Sequence, residues 1–441
     1  MYRFISPRMK FYNIHKPEKK VNLTEAVLTG IQGSEGLFMP EYIPTLLDSF
    51  FEQLPQLSLQ EIGIAVAEKF LSEDVSKTDI QNIVSEALNF PIPLVNVTEN
   101  IYSLELFHGP TLAFKDVGAR FMARLFSVLN KNSSEKIKIL VATSGDTGGA
   151  VANAFFNVEG ISVTILYPSG KVSALQEKQL TTLGKNISAI EVNGTFDDCQ
   201  RLVKQAFADV SLQQKLKLAS ANSINLARLI PQSFYYFWAV AQAWKQNKKQ
   251  AIAISVPSGN FGNITAGIIA QKMGLPISKF IAATNANNIV PQYLLNGNYE
   301  PKASVQTISN AMDVGNPSNF ARMKVLFENS WEQMKASING FYFSDKETKA
   351  AIRNLYTRFN YIADPHGAVG YLALAAYLKE EKNTTGIFLE TAHPAKFIDV
   401  VEEALSEKIE IPQALSALAS KQKVAGKIDA DYEQLKAILL A

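Results

Sequence analysis

Short apolar runs alternate with helical patterns from residue 137 onwards. A glycine-rich or polar turn follows each run, and helices are predicted at 150–157 and 264–272 after two of these turns. Strands are predicted at 137–142, 161–167, 251–256, 280–283 and 386–389. Strands that alternate with helices predict an α/β fold with parallel sheets and crossover helices. Because ligands bind at the carboxyl ends of such strands, we expect the functional site in these turns.

The first hundred residues have a different pattern. Ser58 and Glu61 form a capping-box signature, which predicts a helix through about Leu71, and Ser76 begins a second predicted helix through about Asn89. The two prolines in residues 90–94 then end the helical pattern and favour an extended chain. This block is predicted to be a mostly helical accessory domain, and it contains no polar cluster that suggests chemistry.

One lysine stands at the start of a further helical pattern. Lys115 lies between Phe114 and Asp116, after a turn at 108–110, and apolar residues recur at helical spacing through residue 129. Apolar surroundings push a lysine towards the neutral amine, which is a nucleophile for aldehydes. A surface lysine whose stem covers the helix start is the commoner situation, and this segment alone leaves both interpretations open.

Two glycine-rich turns offer places for an anion. The turn Ser-Gly-Asn-Phe-Gly-Asn at 258–263 lies between a predicted strand and a predicted helix, where free N–H groups favour a phosphate. It matches neither a dinucleotide fingerprint nor a Walker loop, so a single phosphate fits it better than a nucleotide. The turn at 143–149 combines hydroxyls with helix N–H groups and suits a carboxylate. A plain strand-to-helix turn, with Asp146 or Thr147 as an N-cap, is the alternative.

Other polar segments offer weaker signals. The segment 391–396 follows the last predicted strand, and a hydroxyl there could face a ring nitrogen, but a simple strand-ending turn explains it equally well. The segment 220–228 carries a lone arginine, which either binds an anion or is solvated at a helix start. The loops at 310–319 and 364–367 could line a cleft.

Composition narrows the possible functions. With 441 residues, about two or three domains are expected. The net charge of +2 gives no reason to expect nucleic acid or an anionic membrane as a partner. The single cysteine, Cys199, lies on an apolar helical stripe and is predicted to pack in the core. The four histidines are scattered, so no metal site is predicted. The run at 234–244 is too short to span a bilayer, and a cytoplasmic compartment is expected.

One candidate amine and two candidate anion sites suggest an enzyme that uses pyridoxal phosphate. The lysine would bind the cofactor aldehyde, one turn would bind its phosphate, and the other turn would orient the carboxylate of an amino acid.

The order of the motifs resembles the threonine synthase family, whose members use pyridoxal phosphate and have the fold of the tryptophan synthase β-subunit (fold type II). The resemblance runs from about Met9, which looks like the usual family start, to about Pro412, and residues 1–8 would precede it. It rests on Glu-Gly-Leu-Phe-Met-Pro at 35–40, His-Gly-Pro-Thr-Leu-Ala-Phe-Lys-Asp-Val-Gly at 108–118, Ala-Thr-Ser-Gly-Asp-Thr-Gly at 142–148, Ser-Ala-Asn-Ser-Ile-Asn at 220–225, Val-Pro-Ser-Gly-Asn-Phe-Gly-Asn at 256–263, Asn-Ala-Met-Asp-Val-Gly at 310–315 and Thr-Ala-His-Pro-Ala-Lys-Phe at 391–397.

The resemblance implies two parallel-sheet α/β domains with an N-terminal, mostly helical accessory domain. The accessory domain is expected at 1–95, the large cofactor-binding domain at 96–117 and 229–441, and the small α/β domain at 118–228. The sequence does not give the subunit number, and a monomer and a homodimer both stay open.

The resemblance also implies a reaction, the last step of threonine biosynthesis. O-phospho-L-homoserine and water become L-threonine and phosphate, by γ-elimination of phosphate and addition of water at the β-carbon. Lys115 would be the catalytic Schiff-base lysine. The other implied cofactor-binding residues are Gly259, Asn260, Phe261, Gly262 and Asn263 for the phosphate, Thr391 for the ring nitrogen and Asp146 for the 3′-oxygen. The implied substrate-binding residues are Ser144 and Thr147 for the carboxylate, with Asn225, Arg228 and Lys171 for the leaving phosphate.

Two alternatives stay open at this point. A phospho-lyase or a serine/threonine dehydratase of the same fold would keep Lys115 and the turn at 258–263 but would release ammonia. A catalytically silent protein that binds phosphate or a nucleotide would need neither Lys115 nor a covalent cofactor.

Overall fold

The N-terminal block combines helices with a small sheet. The computed structural model describes residues 9–28, 37–133, 135–246 and 250–441, so residues 1–8 and the first two residues of the 35–40 motif lie outside the described residues. The elements of the block are β1 (Phe11–Asn13), β2 (Lys16–Val21), α1 (Leu23–Leu28), β3 (Phe38–Pro40), α2 (Asp48–Gln53), α3 (Leu59–Leu71) and α4 (Lys77–Ala87).

Both helix starts predicted in this block are confirmed. Ser58 accepts a hydrogen bond from the Glu61 N–H, the Glu61 side chain accepts one from the Ser58 N–H, and α3 ends at Leu71. Ser76 caps α4. The antiparallel sheet of order β2-β1-β3 was not predicted, because β2 is mostly polar and exposed and therefore lacks the alternation of a half-buried strand.

The rest of the chain alternates strands with helices. The middle part contains β4 (Leu94–Thr98), β5 (Ile101–Glu105), α5 (Lys115–Asn130), β6 (Ile137–Ala142), α6 (Asp146–Phe155), β7 (Ile161–Pro168), α7 (Ala174–Thr181), β8 (Ile187–Asn193), α8 (Phe196–Ala208), α9 (Val210–Gln213) and β9 (Lys217–Ser220). It is followed by α10 (Leu226–Leu229), α11 (Phe234–Lys245), β10 (Ala251–Pro257), α12 (Gly262–Lys272), β11 (Lys279–Thr284), α13 (Ile289–Asn296), α14 (Phe320–Leu326), α15 (Trp331–Ser337), β12 (Ile338–Tyr342), α16 (Asp345–Phe359), α17 (Pro365–Leu378), β13 (Thr384–Glu390), α18 (Ile398–Leu405), α19 (Gln413–Ala419), β14 (Gly426–Asp429) and α20 (Tyr432–Leu440).

Two larger sheets organise these elements, and they confirm the predicted parallel α/β architecture. One has the strand order β12-β11-β10-β13-β5-β4 and the other β14-β8-β7-β6-β9. Neighbouring strands are parallel except for β4, which runs antiparallel to β5 at the edge. All five predicted runs are strands. Two helices begin earlier than predicted, α6 at Asp146 and α12 at Gly262, because residues of the glycine-rich turns form the first helical turn.

The C-terminal tail packs on the smaller sheet. Strand β14 pairs in parallel with β8, and Leu435 and Leu439 of α20 join the apolar cluster around Cys199. Residues 426–441 therefore lie with the sheet of 137–220, and not with the large domain to which the sequence assigned them. The other domain boundaries stay a prediction.

Helix α11 forms part of the hydrophobic core. Its aromatic residues Phe234, Tyr235, Tyr236 and Phe237 are fully buried. Burying each such side chain contributes about 1.5–3 kcal/mol, which explains why this run is apolar on nearly every side. Among the described residues, no helix is long and apolar enough to cross a membrane.

Candidate active site

Two of the predicted cofactor-binding segments lie at the carboxyl ends of two neighbouring strands. Strand β10 pairs in parallel with β13, with Ser255 opposite Phe388. The turn at 258–263 follows β10 and Thr391 follows β13, so the two segments leave the same edge of the sheet. This is the position at which ligands bind in parallel sheets.

Lys115 is fixed against the end of β13. It is the first residue of α5. The preceding segment is bridged to the 391–393 segment, since the Phe114 N–H donates to the Thr391 carbonyl at 2.9 Å and the His393 N–H donates to the Leu112 carbonyl at 3.1 Å. These main-chain bonds bring Lys115 next to Thr391, the residue that the resemblance implies for the ring nitrogen.

A buried carboxylate faces the Lys115 amine. The Lys115 Nζ lies 3.7 Å from Oδ2 of Asp146, and Lys396 Nζ lies 2.7 Å from Oδ1 of the same carboxylate. Burial lowers the pKa of the Lys115 amine; Asp146 opposes this effect, whereas the positive charges of Lys396 and Arg228 add to it. Burial also raises the pKa of Asp146, but the Lys396 and Lys115 ammonium groups outweigh burial and hold that pKa well below its usual range.

The turn that carries Asp146 is held by residues that the sequence analysis did not select. The Thr143 hydroxyl accepts hydrogen bonds from the N–H groups of Gly145 and Gly148, at 3.0 and 2.8 Å. Gln176 of α7 donates to Oδ1 of Asp146 at 2.8 Å and packs against Gly145, whose φ is +140°. A lone glutamine in a helical pattern carries no signal of this role in the sequence.

Ser144 and Thr147 lie in the same turn. Both are half-buried, on either side of the Asp146 carboxylate in sequence, near the N-terminus of α6. Their placement agrees with the predicted carboxylate-binding role, which stays a prediction.

The turn at 258–263 enters α12 with very tight main-chain packing. A Cβ on Gly259 would lie 2.6 Å from the Ala311 carbonyl oxygen and 2.8 Å from Met312 Cα. Phe261 adopts a left-handed φ of 58°, an unusual conformation for an aromatic residue that the surrounding packing must maintain. The first N–H groups of α12, beginning at Gly262, have no acceptor inside the helix and can bind an anion.

The Asn260 side chain fixes this turn. The side-chain Oδ1 accepts the Ser318 N–H at 2.6 Å, and Nδ2 donates to the Ser223 hydroxyl at 2.8 Å. The main-chain carbonyl of Asn260 accepts a hydrogen bond from Nδ2 of Asn319 at 3.1 Å. The side chain of Asn260 thus stabilises the conformation of the turn.

Asn263 provides the strongest sign of a ligand in the turn. Its Oδ1 accepts the hydroxyls of Tyr235 and Tyr236, each at 2.7 Å, which orients Nδ2. Yet Nδ2 is buried without a hydrogen-bond partner in the structure. A buried amide donor without an acceptor is costly, so its position at the start of α12 fits the phosphate of a cofactor.

The two polar loops that the sequence analysis placed near a cleft both lie against this turn. Ala311, from the loop at 310–319, backs Gly259, and its N–H donates to Nε2 of His366 at 3.2 Å. The His366 ring is bonded through Nδ1 to the Asp364 carboxylate. These loops therefore support the shape of the turn from behind.

The three residues predicted for the leaving phosphate have different surroundings. Arg228 is buried, donates from Nη1 to the Ala221 carbonyl at 2.6 Å and leaves Nε without a partner, so the solvated arginine expected at this helix start is wrong. Burial lowers the pKa of Arg228 to about 10. Asn225 uses its side chain to cap α10 and to bind the carbonyls of Val27 and Ser220. Lys171 is exposed after β7.

Arg322 is a further buried cation that the sequence did not reveal. It is fully buried, and it donates to the Phe38 carbonyl at 2.8 Å, the Ile224 carbonyl at 2.5 Å and Oδ1 of Asn319 at 2.8 Å. These bonds connect β3 of the N-terminal block to the segments that hold Asn260.

A half-buried lysine at a helix start and a glycine-rich turn with free N–H groups on a parallel sheet are typical of the class of enzymes that bind pyridoxal phosphate through a lysine. A family model described as pyridoxal-phosphate dependent enzyme matches residues 90–389. Models of the threonine synthase N terminus and of the threonine synthase C-terminal region match residues 10–88 and 367–439. The chain belongs to the threonine synthase family, which confirms the resemblance seen in its motifs.

Relatives and solved structures agree with this assignment. Threonine synthase from Haemophilus influenzae is 47% identical over 433 residues, which is 98% of this chain and all of the relative. The crystal structure of threonine synthase from Escherichia coli has a TM-score of 0.92 and 41% identity, and covers 98% of this chain and 99% of the other. The structure of pyridoxal-phosphate-bound threonine synthase from Brucella melitensis has a TM-score of 0.89 and 33% identity, with 98% of each chain covered.

Proposed function

We propose that the chain carries out the reaction of its family with Lys115 as the central residue, converting O-phospho-L-homoserine and water into L-threonine and phosphate. The observation that carries this proposal is the position of the Lys115 amine. It lies at the start of α5, with its side chain 15% exposed and 3.7 Å from a buried carboxylate. A lysine in such surroundings has a larger neutral fraction than an ordinary lysine, and the neutral amine is the form that attacks an aldehyde.

The residues around Lys115 would hold the cofactor. When bound, pyridoxal phosphate supplies an aldehyde that captures the substrate amine and a ring that takes up electrons. Lys115 would hold the aldehyde, and Thr391 would face the ring nitrogen; a hydroxyl there, unlike a carboxylate, leaves that nitrogen unprotonated. Asp146 would lie near the 3′-oxygen. The phosphate would be held by Gly259, Asn260, Phe261, Gly262 and Asn263, and the unpartnered Nδ2 of Asn263 supports this placement.

Other residues would orient the substrate and move its protons. Ser144 and Thr147, near the N-terminus of α6, would hold the substrate carboxylate. Lys115 would act as the base for the proton at the α-carbon and would move protons at the β-carbon. Arg228 is the best candidate for the leaving phosphate, because its Nε is buried and unpartnered. Asn225 and Lys171 are weaker candidates. The side chain of Asn225 already forms hydrogen bonds with main-chain groups, and Lys171 is exposed.

The test is product analysis with the purified protein, pyridoxal phosphate and O-phospho-L-homoserine. We expect threonine and phosphate in equal amounts without ammonia, and we expect Lys115→Ala to abolish both turnover and the covalent retention of the cofactor after borohydride reduction. Lys204→Ala is the matched control, because it removes an exposed lysine of α8 to which no role in the site is assigned. Ammonia and 2-oxobutyrate as the main products would establish the lyase or dehydratase alternative instead.

We also propose that the enzyme works in the cytoplasm on a small anionic substrate, as a monomer or a homodimer, without nucleic acid or membrane as a partner. The near-neutral net charge of +2 supports the absence of nucleic acid and of an anionic membrane as partners. Light scattering on the purified protein would show whether one chain or two form the particle.

A further inference from the structure

The Asp146 carboxylate has a lysine on each of its two oxygens. Lys396 Nζ lies 2.7 Å from Oδ1 and Lys115 Nζ lies 3.7 Å from Oδ2. The Lys396 side chain is completely buried and that of Asp146 is 4% exposed, whereas that of Lys115 is 15% exposed. The more accessible lysine is therefore the one at the start of α5, and Lys396 lies behind the carboxylate.

The polar partners of Lys396 are fixed groups of the protein. Besides Asp146, its ammonium group donates to the Thr111 carbonyl at 2.8 Å, and that carbonyl also accepts Nε2 of Gln179 at 3.1 Å. Gln176, one turn earlier in α7, donates to the same Oδ1 that Lys396 binds. Oδ1 is thus occupied by two donors, which leaves Oδ2 directed towards Lys115.

We propose that Lys396 is a positioning residue whose buried ammonium group keeps Asp146 ionised and fixed while balancing its charge, so that Lys115 does not have to serve as its counter-ion. A buried carboxylate with one nearby lysine would pair with that lysine and hold it protonated. With Lys396 in place the pair Asp146–Lys396 is neutral overall, and the Lys115 amine is released for the aldehyde.

The proposal deepens the proposed function, on which it rests for the role of Asp146. That role places an ionised carboxylate beside the 3′-oxygen of the cofactor, which is itself an anionic group in its phenolate form. Two like charges at that distance would repel each other in a buried site. The Lys396 ammonium removes this conflict, and the same logic explains why a buried lysine accompanies an aspartate at position 146.

The charged groups that face Lys115 are few among the described residues. Those that act on it directly are Asp146 at the start of α6, Lys396 after β13 and Arg228 in α10. The buried Asp116 carboxylate, which accepts hydrogen bonds from Thr111, interacts with Lys396 and Arg228 and stays in place in every variant below. Replacing Lys396 by methionine removes one positive charge and leaves Asp146 with Lys115 as its nearest cation. Both changes favour the protonated Lys115 amine.

The test uses the full chain without cofactor or substrate. The rate at which an amine reagent such as acetic anhydride labels Lys115 is measured against pH by peptide mass spectrometry. We expect Lys396→Met to raise the pH midpoint of labelling by about 1 or more, and Lys396→Arg to stay near the unsubstituted protein because it keeps the charge. The double variant D146N/K396M should also stay near it, because it removes both charges of the pair.

Lys423→Met is the matched control. Lys423 pairs with Glu177 and Glu191 at 2.7 and 2.6 Å, outside the site, so its loss should leave the Lys115 midpoint unchanged. An unchanged midpoint in Lys396→Met would overturn the proposal. If Lys396→Met is too unstable for labelling, the midpoints of thermal unfolding provide the test. A midpoint of D146N/K396M close to that of the unsubstituted protein supports the coupling between Asp146 and Lys396. A midpoint as low as those of the single variants D146N and K396M refutes it. Because no cofactor is present, this result is independent of whether Lys115 takes up pyridoxal phosphate, which the product analysis tests separately.

Discussion

Replacing Gly259 by alanine tests the close main-chain packing on which the anion-binding turn depends. The added Cβ would lie 2.6 Å from the Ala311 carbonyl oxygen and 2.8 Å from Met312 Cα. Both neighbours are main-chain atoms, and Cβ contacts below 3.0 Å essentially do not occur. One of the two segments must therefore move by several tenths of an ångström.

The size of the effect follows from which segment can move. Ala311 is held from behind, because its N–H donates to Nε2 of His366 and the Met312 side chain is buried. The turn itself is then displaced, together with the N–H groups at the start of α12. Overpacking of this kind costs about 1–3 kcal/mol, and we expect about 2 kcal/mol of unfolding free energy to be lost in Gly259→Ala. A loss of about 1.4 kcal/mol in phosphate binding would weaken cofactor affinity tenfold.

Gly262→Ala is a control within the same turn. Its Cβ would lie 3.2 Å from Nδ2 of Asn319, a tight contact with the end of a side chain that can shift by a few tenths of an ångström, and 3.5 Å from Ser223 Cβ, an ordinary contact. Position 262 is also the first residue of α12. Alanine is a better helix former than glycine, by about 1 kcal/mol at interior helix positions. We expect its stability to change by less than about 1 kcal/mol and its cofactor affinity to be retained.

Two measurements compare these variants. Urea denaturation of the cofactor-free proteins gives the unfolding free energy, and titration with pyridoxal phosphate, followed by absorbance, gives the affinity. If Gly259→Ala behaves like Gly262→Ala in both, the contact with the 310–312 segment does not determine the shape of the turn, and our reasoning about the phosphate site is wrong.

Three further predictions follow from buried groups. Arg322→Met should lower the unfolding free energy by about 3 kcal/mol in urea denaturation, because it strands several buried acceptors, whereas Arg353→Met, at an exposed site, should change it by less than about 0.5 kcal/mol. Burial lowers the pKa of His393 to about 4, so the unfolded chain binds this proton first as pH falls. Stability should therefore fall between about pH 6.5 and 4 by up to about 3 kcal/mol more than in His393→Asn, which keeps a side-chain acceptor for the Ala395 N–H; parallel pH curves would contradict this. Burial raises the pKa of the Cys199 thiol to about 12, so thiol reagents should react with it only on unfolding, and Cys199→Ala should keep full turnover while losing about 1–2 kcal/mol of stability.

The elements that position the site could be predicted because their signals are local. The runs that form β6, β10 and β13 are largely apolar, and glycine-rich or polar turns end them, so the pattern of apolar residues located the edge of the sheet at which the site was expected. Lys115 was identified by its position at a loop-to-helix junction. Short edge strands were missed for the opposite reason: in β14 only Ile428 is buried, which gives no pattern to detect.

The partners of the buried charges could not be predicted, because they come from distant parts of the chain. Lys396 resembles a surface residue in its own segment and becomes a buried ion only when β13 brings it to Asp146. A solvated Arg228 was one of two interpretations, since the segment 220–225 before it is mostly polar, yet the fold buries it. The polar residues of the segment containing Asn225 suggested a ligand, but they also serve as a helix cap. The sequence does not distinguish these two roles.

The buried cations show why the net charge was uninformative about the substrate. A charge of +2 summed over 441 residues hides the local arrangement in which Arg228 and Arg322 lie buried and donate to carbonyl and amide oxygens. A buried guanidinium whose hydrogen-bond acceptors are neutral is at most partly compensated, in the case of Arg228 by the nearby Asp116 carboxylate, and it favours an anion in the space nearby. Arg322 contacts Asn319 and the carbonyl of Ile224, next to the turn that contains Asn260, and Arg228 lies close enough to Lys115 to lower its pKa. This local positive charge therefore supports the proposal that two phosphates, one of the cofactor and one of the substrate, are held here.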